Sequence, residues 1–276
     1  MATETKPTVT GEIRTLSTAN GGTALTTTSA FILFPEGVKE LMMTPADFVT
    51  ASVAKFQFCP YALVVKRSGT FAAANLTDYT SAAQDADTAT TVVLSSLPLV
   101  GSNGFLYVGS YVPFRGVRVV VVSANGTASV LTGKYRKDDD TWTDVTVADG
   151  TDSGGATFAV TGNITWTVPT DWKRIKLIEA DNSSTPITFI HVNTPEIYWM
   201  RFEVSATLDS STTLSSLIAL NRSTSYAELK TGQPYQTAMK VAPGGISALE
   251  ALTNAGTANL IVMGATLNDD MQGNLP

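Results

Sequence analysis

The chain has 276 residues, 43% of them hydrophobic and only 15% charged, with a formal net charge of −6. That length bounds the molecule to one or two domains with a substantial core, and the apolar share excludes a disordered polymer. The acidic balance opposes a nucleic-acid partner, because phosphate binding needs a basic footprint, and the single cysteine excludes an intrachain disulfide framework.

Residues 1–29 are rich in Thr, Ser and Gly, with NGG at 20–22 and TTTS at 26–29. They hold too little apolar surface to offset their own ordering and read as an N-terminal arm. The first fifteen residues lack a basic region followed by an apolar core, so no signal peptide is expected. FILF (31–34) is an apolar segment ended by Pro35. Thr44, Pro45 and Asp47 then have the order of an N-cap, a first helical proline and a first-turn acid, which predicts a short helix. FQFCPYALVVKR reads as a strand bent at Pro60. Cys59 lies inside it and reads as a buried, inert thiol, compatible with folding in a reducing compartment.

Polar turns fill 70–87, and a series of short strands follows. These are TTVVLSSL, GFLYVGS, RGVRVVVVSA, SVLTGKYR, DDDTWTDVTVADG, TFAV, GNITWTV, ITFIHV and IYWMRFEVSATL. Short alternating strands separated by turn residues are the signature of a sandwich. Asn125-Gly126 is the strongest hairpin signal in the chain. Trp142, Val145 and Val147 are the inward candidates of their strand, and KRIKLIEADNSSTP reads as a charged surface excursion. All four tryptophans fall within 104–208, where large flat side chains can fill a sheet-to-sheet gap of about 10 Å. Past residue 209, PGGISALEALTNAG predicts one short helix and TANLIVMGATL a final strand, with FQFCPYALVV as that strand's expected neighbour. No apolar run approaches the length that spans a bilayer, so no membrane association is expected.

The expected architecture is therefore all-β. It comprises an N-terminal arm (1–29), a flanking segment (30–69), an antiparallel β-sandwich (70–210) and a C-terminal segment (211–276) packing with 30–69. At most one or two short helices are expected.

Chemistry is sparse. His191 is the only histidine and sits at alternating strand spacing, with no nucleophile or acid arranged around it in a known motif. GxSxG, GxxxxGK[ST], HExxH and CxxC are all absent. Asp138, Asp139 and Asp140, with Asp149 and Asp152, supply oxygen ligands of the kind calcium takes, but the run reads as a solvated turn. Asn-X-Ser/Thr sequons at Asn75, Asn125 and Asn163 are chance matches in a Thr-rich chain. No catalytic residue, metal or cofactor is assigned. Trp142, Trp166 and Trp199 lie in alternating strands that must bury one face. Trp172, at a strand exit after Pro169, is the candidate for exposure and for a ligand or partner contact.

FLYVGSYVPFRGVRVVVVSAN, TWTDVTVADGT, GNITWTVPTDW and IYWMRFEVS together resemble a β-sandwich module of tailed-bacteriophage virion proteins. The resemblance covers about 78–208 and is most specific over 162–172 with Tyr198, Trp199 and Arg201. The intervening segment 173–196 is longer and more charged than the pattern. The resemblance implies a non-enzymatic structural protein of the virion, assembled in the host cytoplasm. Compactness, low charge and a Thr-rich arm favour a capsid decoration, or cement, protein. The partners implied are the major capsid protein and further copies of the chain, in a symmetric oligomer such as a trimer. The alternatives are a tail or baseplate protein that touches host glycans through the sandwich, and a depolymerase.

Overall fold

Alternation of apolar with hydroxylated residues builds nearly all of this chain, because a strand sends successive side chains to opposite faces. The computed structural model describes residues 12–16, 21–35, 37–51, 53–181 and 195–266. The protein is all-β, with antiparallel sheets and two short α-helices among these residues. It divides into two units. Among the described residues, the first gathers those within 1–57, 226–242 and 249–266, so N-terminal and C-terminal strands contribute to it, and the second gathers those within 58–225 and 243–248.

The chain opens with β1 (Glu12–Thr15), β2 (Thr23–Leu25), β3 (Ala30–Leu33), β4 (Val38–Val49) and β5 (Ala54–Pro60). The second unit adds β6 (Leu63–Ser68), β7 (Leu76–Asp78), α1 (Thr80–Asp85), β8 (Val92–Val93), β9 (Gly104–Ser110), β10 (Phe114–Ser123) and β11 (Leu131–Arg136). It continues with β12 (Trp142–Val145), β13 (Val147–Asp149), β14 (Gly162–Trp166), β15 (Arg174–Ile175), α2 (Leu177–Ala180), β16 (Ile197–Val204) and β17 (Thr213–Asn221). The chain ends with β18 (Ala227–Leu229), β19 (Tyr235–Ala238), β20 (Ile246–Thr253) and β21 (Thr257–Thr266).

In the first unit one sheet has the order β1-β21-β4-β19, with β2 also on β21, and another has the order β18-β5-β20-β3. β4 buries Val38, Leu41 and Met43, and β21 buries Ala258, Leu260 and Val262. Phe56 of β5 meets Tyr235 of β19 with ring centroids 5.1 Å apart, tying the two sheets together. Two expected helices are absent here. The segment at Thr44 belongs to β4, where Pro45 faces Leu260 across the ladder and Asp47 takes a positive φ of 51° beside a register shift. The segment 246–253 is β20, whose Ser247, Ala248, Leu249, Glu250 and Ala251 are all buried. Burial on both faces overrides the helix preference of Ala, Leu and Glu. β21 pairs with β4, β1 and β2, not with β5 as expected.

The second unit is a sandwich of two open sheets. The smaller has the order β13-β14-β10-β17-β8, and the larger the order β12-β11-β16-β9-β6-β7, with β15 added at β16. One core fills the gap between them. It takes Val64, Leu106, Val108, Met200, Phe202 and Val204 from the larger sheet and Phe114, Val117, Val119, Ile164, Leu214 and Leu217 from the smaller. This unit is wider than 70–210, because β6 pairs with β9 and β17 with β10. A second cluster, with Leu63, Tyr107, Ile197 and Trp199, lies on the far face of the larger sheet. Ile175, Leu177 and Ala180 belong to it, so 173–181, the described part of the segment expected as a surface excursion, is a cover.

Asn125-Gly126 does not close a hairpin. β10 lies in one sheet and β11 in the other, so the chain changes layers there. DDDTWTDVTVADG is likewise two strands, with β12 in one sheet and β13 in the other. Val145 and Val147 pack on the inter-sheet core as expected, whereas Trp142 packs against the far-face cluster.

Candidate functional site

The tryptophans decide whether the second unit carries a binding platform. Trp172 is only 7% exposed and belongs to the inter-sheet core. Its ring stacks with Phe114, Tyr135 and Tyr198 at centroid distances of 5.2, 6.3 and 5.7 Å. Its indole N–H donates to the Trp199 carbonyl at 3.2 Å. The flanking backbone is held too, with Asp138 N–H donating to Asp171 O and Lys173 N–H to Arg136 O. The expectation of an exposed Trp172 is therefore corrected. Pro169 does not release the chain to solvent but returns it along the end of β11. Trp166 is also in this core, against Phe114 and Phe202. Trp199 is fully buried on the far face, and its N–H donates to Ile175 O at 3.1 Å. No indole face is left open for a sugar by Trp166, Trp172 or Trp199.

Cys59 is buried. His191 lies outside the described residues. Asp139 caps its own turn through Thr141, Asp140 pairs with Lys173 at 2.7 Å, and Asp149 accepts from Thr151. No group of three or more potential ligands able to hold a metal occurs among the described residues. No described helix is long and apolar enough to cross a membrane. Of the sequons, Asn125 is buried.

Asn125 marks what sequence reasoning missed. Its side-chain amide donates to Thr127 O, Ser129 Oγ and Thr157 O at 2.8–3.1 Å, and its Oδ1 accepts from the Thr127 and Asp209 N–H groups. Asp209 in turn accepts from the N–H groups of Gly126 and Ser211 and from the hydroxyls of Ser211 and Thr212. Those bonds, led by the Gly126 and Ser211 amides, hold its carboxyl well below the usual carboxylate range. Thr151 adds a bond from the Phe158 N–H. The loops at this end of the sandwich are thus fixed by fully used polar groups, which leaves their surface little freedom to rearrange.

That fixed end carries aliphatic side chains in the open. Val122 ends β10, Val130 precedes β11, Val160 precedes β14, and Leu99 and Val100 precede β9. The strand registers bring all four of these sites to the same end. The five side chains are 36–68% exposed.

The far face of the larger sheet holds a second polar arrangement. Asp181, just after α2, receives Arg67, the Tyr107 hydroxyl at 2.6 Å and the Trp142 N–H at 3.2 Å, with Arg201 at 3.9 Å. Burial first, and the Asp181 charge second, push the Tyr107 hydroxyl well above its ordinary value. Arg201 Nη2 stands 2.7 Å from Glu203 Oε1, off the line of a hydrogen bond. At the end opposite the aliphatic platform, Tyr135 donates to Asp171 at 2.9 Å, and burial with that bond raises its pKa to about 12. Comparison with protein-family models, with curated proteins and with solved structures gave no match to the chain.

Proposed function

We propose that this chain is a structural protein of a tailed-bacteriophage particle, a capsid decoration protein that bridges subunits of the head shell. The observation that supports it is the aliphatic end of the sandwich, where Leu99, Val100, Val122, Val130 and Val160 stand on or beside the loops that Asn125 and Asp209 join. A surface already rigid before docking loses little conformational entropy on binding, so a modest contact suffices. Repeated around a shell, many modest contacts sum to strong retention through avidity. The work is mechanical. Buried area spread over joints between capsid subunits resists the outward pressure of packaged DNA. The aromatic core from Tyr198 through Trp172, Phe114 and Trp166 to Phe202 gives the sandwich the stiffness this requires. The partners in this reading are the major capsid protein and further copies of the chain.

The test is reconstitution on particles assembled without the chain. A Val122→Asp, Val130→Asp double variant is expected to fold normally by tryptophan fluorescence yet lose at least tenfold in occupancy. That corresponds to about 1.4 kcal/mol of docking free energy. Full occupancy by the variant would overturn the reading.

A further inference from the structure

The far face of the larger sheet contains more positive charge than its neighbours neutralise. By register, Arg67, Lys134, Arg136 and Arg201 lie on one face with Trp142, Asp144 and Glu203, under the cover that ends at Asp181. Lys134 takes Asp144 at 2.7 Å and approaches Glu203, Arg201 takes Glu203, and Arg67 takes Asp181. Four cations meet three carboxylates. The one left over is Arg136.

Arg136 is 96% buried by residue area (4% exposed), yet among the described residues no hydrogen bond or ion pair reaches its guanidinium. Its Nε is sealed from solvent without a partner, and so is the Nε of Arg201. Both guanidinium groups pack on the same ring, with Arg136 at 5.8 Å and Arg201 at 4.6 Å from the Trp142 centroid. The indole quadrupole attracts both cations but neutralises neither. The segment that follows Asp181, residues 182–194, contains no Asp or Glu. An arginine stays charged in proteins, so it cannot escape the cost of burial by losing its proton.

We infer that Arg136, with Arg201 and Trp142, receives an oxyanion from outside the chain, a phosphate or a carboxylate. A planar guanidinium offers paired N–H groups that match two oxygens of such an anion, and a charge-assisted pair in so buried a setting is short and strong. Trp142, half-buried at the edge strand β12, forms the wall against which the anion and both arginines pack. The anion comes either free from solution or on an acidic side chain of a second copy.

The experiment follows the Nε–Hε resonance of Arg136 in the ¹⁵N-labelled full chain, identified by its loss in Arg136→Lys. Sodium phosphate is titrated against chloride at constant ionic strength, and protein concentration is varied separately. A saturable shift with phosphate at low protein concentration supports the site with a free anion. A shift with protein concentration that phosphate reverses supports a carboxylate from a second copy. A resonance that moves in neither series overturns the inference. The wild-type titrations alone separate these outcomes, so the test holds even where the variant folds poorly.

Discussion

Replacing Trp172 by alanine separates a core indole from a surface platform. In the folded protein the ring touches Phe114, Tyr135 and Tyr198 between the two sheets, and its N–H satisfies the buried Trp199 carbonyl. Truncating a buried Trp to Ala costs about 3–5 kcal/mol, through lost transfer free energy and the cavity left behind. The orphaned carbonyl moves the expectation toward the upper part of that range, since an unsatisfied buried acceptor costs about 1–3 kcal/mol by itself. With a urea slope of about 2 kcal/mol/M, the unfolding midpoint falls by about 1.5–2.5 M. All four tryptophans lie in the second unit, so tryptophan fluorescence reports its unfolding without signal from the first. Trp172→Phe keeps most of the ring volume but not the N–H, and is expected to lose about half as much. A Trp172→Ala protein destabilised by less than about 1 kcal/mol would mean that the indole is not packed between the sheets, and the aromatic core of the sandwich would be wrong.

Gly109 lies opposite Trp199, and a Cβ there would stand 2.6 Å from Trp199 Cε3 and Ile197 Cδ1. Gly109→Ala is expected to cost about 1–3 kcal/mol by overpacking and to change the near-ultraviolet circular dichroism of the indoles; wild-type stability with an unchanged spectrum would show that the ring does not cover the glycine. Asp209 titrates below its unfolded value because backbone amides hold its charged form. Its stabilising effect is present above about pH 4, the unfolded value, and is lost as pH falls from there through the depressed folded value. Asp209→Asn should therefore be less stable than wild type at neutral pH, with the gap closing in acid. A gap that stays constant from neutral pH into strong acid in urea titrations would contradict the assignment.

Sequence alternation made the all-β class and most of the sandwich strands legible, since Val117, Val119, Ile164, Phe202 and Val204 each follow period two and each face the inter-sheet core. What was hidden depended on where the chain changes layers. Asn125-Gly126 has hairpin chemistry, but the Asn125 side chain is spent on binding Thr127, Ser129, Thr157 and Asp209, and the strands on either side part to different sheets. Thr146 divides a run that alternates without a break into β12 and β13. In the first unit, Glu250 looked like a helix residue. It is buried in a strand because Ser29, Gln57 and Tyr226 all donate to its carboxylate. Those partners are more than twenty residues away in the chain, and no local signal announces them. Trp172 failed for a similar reason, because proximity to Pro169 suggested an exit while pairing with the end of β11 returned it to the core.

The charged patch shows most plainly why sites on sheets escape a linear reading. Arg67, Lys134, Arg136, Arg201 and Glu203 each alternate outward from a strand, and an outward charge on a strand ordinarily meets water. Here 175–181 folds back over part of that face and brings Leu177 and Ala180 as apolar cover. Burying the arginines beneath it would be costly unless the cover supplied a counter-charge, and Asp181 arrives at the end of α2 to meet Arg67, Tyr107 and Trp142 together. One carboxylate cannot also serve Arg136, which lies a row further along the sheet beside Trp199. The cover supplies its carboxylate to Arg67, while Asp144 and Glu203 on the neighbouring strands serve Lys134 and Arg201; Arg136, opposite Trp142 of the edge strand, is the cation that neither the cover nor the strands supply with a carboxylate.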